Sequence, residues 1–379
     1  MFAGFAVAYA VLTPVGSSPD ELSHLNYARL IADHAQLPPE TVREHQQPPL
    51  FYLLAAGLLR AGAAPVWLRL LSVVLGASGV VAIALIARVV TPGRAWLAAA
   101  SAALLAALPG YQFVAGSITD DALAIAMGMW ILLVAVLVLR APEPTTRLLV
   151  AIGAVLGLAL LAKQTDWAPM LALVAAVIWH WRPHLRWRHA FALLGLPLLI
   201  SGWWYARNLA TFHSLLPPLV VTRRVLTPHL VRAFVSQTVR SIFRPERYQG
   251  GLLTLPRAAG RLEEVLVAVL VVLLLVAAYL LVRRWRVLSG RQQAMATCLT
   301  VAAVLGGIAS VGNGLVVTFQ PQGRYLLTAA AAPILALAAV FAFASGRAKA
   351  LAWPAAGAVG AACAALSVIG LHTSLVAYG

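Results

Sequence analysis

Apolar runs recur from one end of this 379-residue chain to the other, separated by short breaks rich in Arg, Pro or Gly. They lie near 1–14, 66–88, 95–110, 121–139, 148–163, 167–181, 190–208, 263–282, 293–312, 325–344 and 351–373. Only a helix satisfies its own backbone in a bilayer without closing into a barrel, so the expected fold is all-α with about eleven transmembrane helices. A chain 61% hydrophobic and 11% charged is no soluble domain. Residues 1–13 form a short first span, covering about 20 Å of a core roughly 30 Å thick. Either it continues through Pro14–Ser17 or it begins upstream. Ala8-Tyr9-Ala10 resembles a signal-peptidase site but has no basic segment before it. Cys298 and Cys363 sit inside apolar runs and read as small core side chains.

Charge orients the spans. Arg88, Arg94, Arg140, Arg147, Arg182, Arg186, Arg188, Arg283, Arg284, Arg286, Arg291, Arg347 and Lys349 fall in alternate connections, with Glu143 the one acid among them. The positive-inside rule makes that side cytoplasmic and the opposite face, with the other acids, extracytoplasmic. The net charge of +16 is spread through loops and reads as topology and lipid phosphate rather than nucleic acid. One membrane domain, 1–379, with two large outer loops, 15–65 and 209–262, is the economical organisation. The first loop holds a helical stretch from Leu22 to His34 and a short apolar helix from Pro49 to Arg60. In the second, Val231, Phe234, Val235 and Ile242 recur at helical spacing, giving an interfacial helix over 229–243, and Gln249-Gly250-Gly251 and Pro256 break the chain after it.

Twelve Asp and Glu occur in all, and among them Asp20-Glu21 and Asp120-Asp121 are acidic pairs at outer ends of spans. Locally each reads as a helix cap. Ser18-x-x-Glu21 with Pro19 at the first helical position has the form of a capping box, and Thr119 or Ser117 can cap the second helix. Caps have no reason to prefer one face, however, whereas an acid/base or metal site needs carboxylates converging there. His24, one turn after Asp20, can hold that carboxylate or face the headgroups. Lys163, Arg207 and Arg324 lie at the same level, where they either anchor helix ends or neutralise a lipid-linked phosphate.

The order of these elements resembles the GT-C class of membrane glycosyltransferases, which includes protein O-mannosyltransferases and lipid A aminoarabinose transferases. The resemblance rests on Asp20-Glu21-Leu22-Ser23-His24, Gln47-Pro48-Pro49-Leu50-Phe51-Tyr52, Arg69-Leu70-Leu71-Ser72, Thr119-Asp120-Asp121-Ala122-Leu123-Ala124, Leu160-Leu161-Ala162-Lys163, Trp204-Tyr205-Ala206-Arg207-Asn208 and Gly323-Arg324-Tyr325-Leu326-Leu327. Each motif is weak alone; their order is the signal. The chain departs from the pattern at Gln47, where some relatives carry Lys or His before Pro-Pro.

The resemblance implies an inverting transfer of a sugar from a polyprenyl-phosphate donor to an acceptor hydroxyl, at the extracytoplasmic face of a bacterial plasma membrane. Asp20 would be the base, with Glu21 orienting the acceptor or holding Asp20. Arg324, Lys163 and Arg207 would bind the donor phosphate. Asp120, Asp121, His24, Tyr325 and Gln322 would contact sugar or acceptor, and Asp20 with Asp120 is the candidate site for a divalent ion (Mg or Mn). The acceptor is a glycan, a lipid or a protein. Two other readings stay open: a flippase for lipid-linked sugars, and a non-catalytic polyprenyl-phosphate-binding envelope protein.

Overall fold

The computed structural model describes residues 1–216, 227–246, 252–312, 315, 320–343 and 347–378. The expected break at 249–251 lies outside them. The described residues are helical apart from connections and one isolated bridge between Glu246 and Leu252. The helices are α1 Phe2–Leu12, α2 Glu21–His34, α3 Leu50–Arg60, α4 Pro65–Val90, α5 Ala95–Ala107, α6 Pro109–Ala115, α7 Asp121–Arg140, α8 Thr146–Ala162, α9 Trp167–Trp181, α10 Trp187–Ala190, α11 Leu196–Phe212, α12 Pro228–Arg240, α13 Arg257–Arg284, α14 Gly290–Gly312, α15 Arg324–Leu327, α16 Ala331–Phe343 and α17 Arg347–Tyr378.

Helix lies over each of the eleven expected segments, and the protein is a multi-pass membrane protein. Among the described residues five helices are individually long and apolar enough to cross a bilayer, or six with a bent pair. That bent pair corrects the span expected at 95–110. α5 and α6 meet at 72° across Leu108, because Pro109 lacks an N–H and pushes the residue before it out of helical geometry. The span expected at 325–344 is likewise broken, into the single turn α15 and the longer α16.

α7 is the axis of the bundle. From Asp121 to Leu139 nearly every side chain is buried, and α4, α8, α9 and α14 pack around it. α13 is the opposite case: Val265, Val271, Val272, Leu275, Val276, Tyr279 and Val282 are exposed, an apolar surface suited to lipid. Near the head of α7 the chain passes unusually close, since a Cβ on Gly128 would collide with the carbonyl oxygen of Thr328. That contact sets the turn after α15 against α7.

α12 forms as the amphipathic pattern requires, ending at Arg240 rather than at 243, with Thr227 capping it by accepting from the Leu230 N–H. The turn after it is clamped into the bundle. Gly110 N–H donates to Ile242 O (2.9 Å), and Gly323 N–H donates to Ser241 Oγ (2.6 Å). A side chain on Gly323 would strike Thr238 O.

Candidate active site

The expected capping box does not form. α2 begins at Glu21, Asp20 occupies its N-cap with φ 58° and no side-chain cap, and Ser18 Oγ makes no hydrogen bond among the described residues. A left-handed non-glycine residue costs roughly 1–2 kcal/mol. Neighbouring contacts have to hold Asp20 there, and Glu21 supplies them.

Glu21 is fully buried and meets Arg69 in two parallel bonds, Nε–Oε1 at 2.7 Å and Nη2–Oε2 at 2.8 Å. It also accepts from the backbone N–H groups of Gly16 (2.8 Å) and Ile118 (3.0 Å). Arg69 in turn donates to the carbonyls of Ala10, Thr13 and Pro14. One ion pair thus ties the end of α1, the head of α2, α4 and the approach to α7. Its oxygens are committed to these donors, and Glu21 has no place on the cavity wall.

The second acidic pair also has another partner than a cap. Lys163, where α8 ends, reaches Asp120 Oδ1 and Asp121 Oδ1, both at 2.6 Å. Asp121 Oδ2 accepts from Thr119 Oγ1 (3.1 Å) and pairs with Arg324 Nε (3.0 Å). Thr119 Oγ1 accepts from the Asp121 N–H, so part of the capping expectation survives. Arg324 is further held by Gln322 Oε1, at 3.1 and 2.8 Å.

These groups surround a cavity of about 640 Å³. Asp20, His24, Glu44, Gln46, Gln47, Asp121, Lys163, Gln164, Gln320, Arg324 and Tyr325 supply its polar lining, while Leu160, Trp167, Met170, Tyr205 and Leu216 supply apolar surface. The Tyr325 ring lies beneath both cations, 5.8 Å from Lys163 Nζ and 5.5 Å from the Arg324 guanidinium. His24 Nδ1 meets Tyr52 Oη at 2.8 Å. Burial raises the Tyr52 phenol well above its usual pKa, so it stays a proton donor.

The acids differ in how far they are committed. Asp20, with a side chain 17% exposed, has one ion pair among the described residues, to Arg43 at 2.7 Å, and Arg43 is 72% exposed. Such a pair is worth about 0–1 kcal/mol and leaves Asp20 readily released to a ligand. Asp121 is bound to both cations. Asp120 does not line the cavity, and its Oδ2 has no hydrogen bond among the described residues. The two remaining expected ligands also lie off the wall. Gln322 serves Arg324, and Arg207 donates to Pro38 O (3.0 Å) and stands over Phe212.

Of the two carboxylates expected to hold a divalent ion, Asp20 lines the cavity and Asp120 does not. Among the described residues no three His, Cys, Asp or Glu side chains converge as ligands. Asp120 is directed to Lys163, which already supplies positive charge.

Sequence reasoning missed Glu44, which also has a left-handed backbone (φ 67°) and accepts from Gln46 and Gln47 side chains. It missed Glu246, 3.7 Å from Arg324 Nη1. Asp166, which the sequence sets close enough to Lys163 to neutralise it, is a buried acid whose carboxyl oxygens have no hydrogen-bond partner among the described residues. Burial pushes Asp166 well above the carboxylate range and Glu246 up to about 7. The signal was available in the scarcity of acids, since any of twelve in such a chain merits a site hypothesis.

Comparison with known proteins places this arrangement. Residues 46–205, less than half of the chain, match the family model described as dolichyl-phosphate-mannose-protein mannosyltransferase. ArnT from Cupriavidus metallidurans bound to undecaprenyl phosphate superposes with a TM-score of 0.60 at 17% identity, covering 93% of this chain and 62% of that one. The fold is that of the GT-C membrane glycosyltransferases. ArnT in the apo state gives a TM-score of 0.61 at 18% identity, over 99% of this chain and 74% of that one. Archaeal oligosaccharyltransferase AglB from Archaeoglobus fulgidus, in complex with an inhibitory peptide and a dolichol-phosphate, gives 0.52 at 13% identity, over 98% and 55%. The chain therefore spans less than two thirds of the lipid-bound ArnT and of AglB. A search of curated proteins finds no match. Asp20, Gln47, Asp121, Lys163, Tyr205 and Arg324, from six of the seven motifs, line this one cavity, whereas no residue of the Arg69 motif does.

Proposed function

We propose that this GT-C protein moves a sugar from a polyprenyl-phosphate donor to an acceptor hydroxyl, with inversion, at the extracytoplasmic face of the membrane. The observation that carries this reading is the meeting of a weakly committed carboxylate, Asp20, with two cations, Lys163 and Arg324, in one cavity. Asp20 removes the acceptor hydroxyl's proton as that oxygen attacks the anomeric carbon. The bond from that carbon to the phosphate oxygen breaks, and its electron pair leaves with the polyprenyl phosphate. The departing group is already an anion, so charge stabilisation matters more than a strong general acid. Asp121 holds Lys163 and Arg324 in place before the phosphate arrives, which removes part of the reorganisation that binding would otherwise require. His24, Glu44, Gln46 and Gln47 line the same cavity and are placed to contact sugar or acceptor hydroxyls. The acceptor itself is a glycan, a lipid or a protein.

Purified protein in liposomes, given polyprenyl-phosphate donors carrying different radiolabelled sugars, tests the proposal. Label should leave the lipid for an added acceptor, and the product's anomeric configuration should be opposite to the donor's. Label that crosses the bilayer while still attached to its lipid would point to a flippase instead.

A further inference from the structure

Glu246 stands beside Arg324 without closing on it. Its side chain ends the turn that follows α12, and that turn is fixed on several sides. Besides the bonds to Gly110 and Gly323, Leu253 N–H donates to Pro245 O (3.2 Å) and Arg244 pairs with the fully buried Glu263. Glu246 is 5% exposed. Its Oε2 is 3.7 Å from Arg324 Nη1 and makes no hydrogen bond among the described residues. The other buried Arg–carboxylate pairs described are closer: 2.7 Å for Arg69–Glu21 and 3.0 Å for Arg324–Asp121. Arg324 Nε is occupied by Asp121 and Gln322, and Nη2 by Gln322, so Nη1 is the nitrogen directed at Glu246.

We propose that Glu246 is a positioning residue for Arg324, and that docking of a donor phosphate at Arg324 is accompanied by uptake of one solvent proton on Glu246. The inference rests on the reading of Arg324 as a phosphate ligand. An incoming anion competes with Glu246 for Nη1 and sets a negative charge beside a buried carboxylate. Neutralising that carboxylate relieves the repulsion. Among the described residues, the charged groups acting on Glu246 are Arg324 of α15, Asp121 of α7 and Asp20 at the head of α2. The two acids already oppose its ionisation, and burial leaves it titrating at about 7. A further anion raises that value. Below about 7 the proton is already present before binding, while above about 7 it must be taken up, so affinity falls as pH rises.

The test uses full-length protein in detergent and a short polyprenyl methyl phosphodiester, whose single charge does not titrate near neutrality. Affinity is measured by calorimetry from pH 6 to 8.5, and proton uptake at pH 8 comes from paired buffers of different ionisation enthalpy. Wild type should take up close to one proton at pH 8 and lose up to about tenfold in affinity per pH unit above 7. E246Q should bind with a much flatter profile and little uptake, and E246D should restore the slope. Uptake near zero in wild type, a measurement that needs no variant, would overturn the proposal. So would an E246Q profile matching wild type. If the probe binds at no pH, or R324A binds it as well as wild type, the phosphate-site reading fails and this inference with it.

Discussion

Asp20 and Glu21 are neighbours with opposite fates. Glu21 accepts from Arg69 and two backbone N–H groups, whereas the ion-pair partner of Asp20 among the described residues, Arg43, is exposed. Removing one side of a buried ion pair strands the other charge and costs about 3–5 kcal/mol. R69A should therefore lower the thermal denaturation midpoint in detergent sharply; an unchanged midpoint would contradict the role given to the pair. R43A breaks only a half-exposed contact worth about 0–1 kcal/mol. It should leave transfer within about fivefold of wild type and the denaturation midpoint unmoved. K163A, by contrast, removes a cation that lines the cavity and leaves Asp120 and Asp121 facing each other. It should weaken binding of undecaprenyl phosphate by at least about tenfold, in keeping with the roughly 1.5–3 kcal/mol of a charged hydrogen bond.

At the scale of elements, hydrophobic periodicity made most helices legible: α4, α7, α9 and α14 lie close to their expected bounds, and α2, α3 and α12 fall where local patterns place them. Breaks were less legible. Pro109 signalled the bend between α5 and α6, but an apolar run on both sides masked it. The capping box at Ser18 failed for a tertiary reason. Arg69, 48 residues from Glu21, outcompetes a local cap. The same limitation hid Glu44 and Glu246, whose importance depends on what the fold brings beside them. Gly128 carries a comparable long-range requirement. G128L should push the Thr328 turn away from α7, destabilise the protein by about 1–3 kcal/mol and reduce undecaprenyl phosphate binding through displacement of Arg324. Loss of stability with unchanged affinity would show that this contact does not position the site.

Across the whole molecule, the Arg-rich connections and the cavity must lie on opposite faces if the charge rule orients the chain. Cysteine labelling tests this in a variant with Cys298 and Cys363 replaced. A cysteine at exposed Glu40, in the first loop, should react with an impermeant maleimide added from outside intact cells, and one at exposed Ser289 only after permeabilisation. The reverse pattern would invert the topology. The fold is that of the GT-C proteins, and the transfer chemistry proposed for it centres on one side chain. The most direct measurement is sugar transfer by D20N in proteoliposomes, with undecaprenyl phosphate binding measured on the same preparation. Loss of general-base catalysis should lower the rate by about 10²–10⁴-fold while lipid binding is kept. Transfer at the wild-type rate by a folded, lipid-binding D20N protein would contradict the assignment of Asp20 as the base.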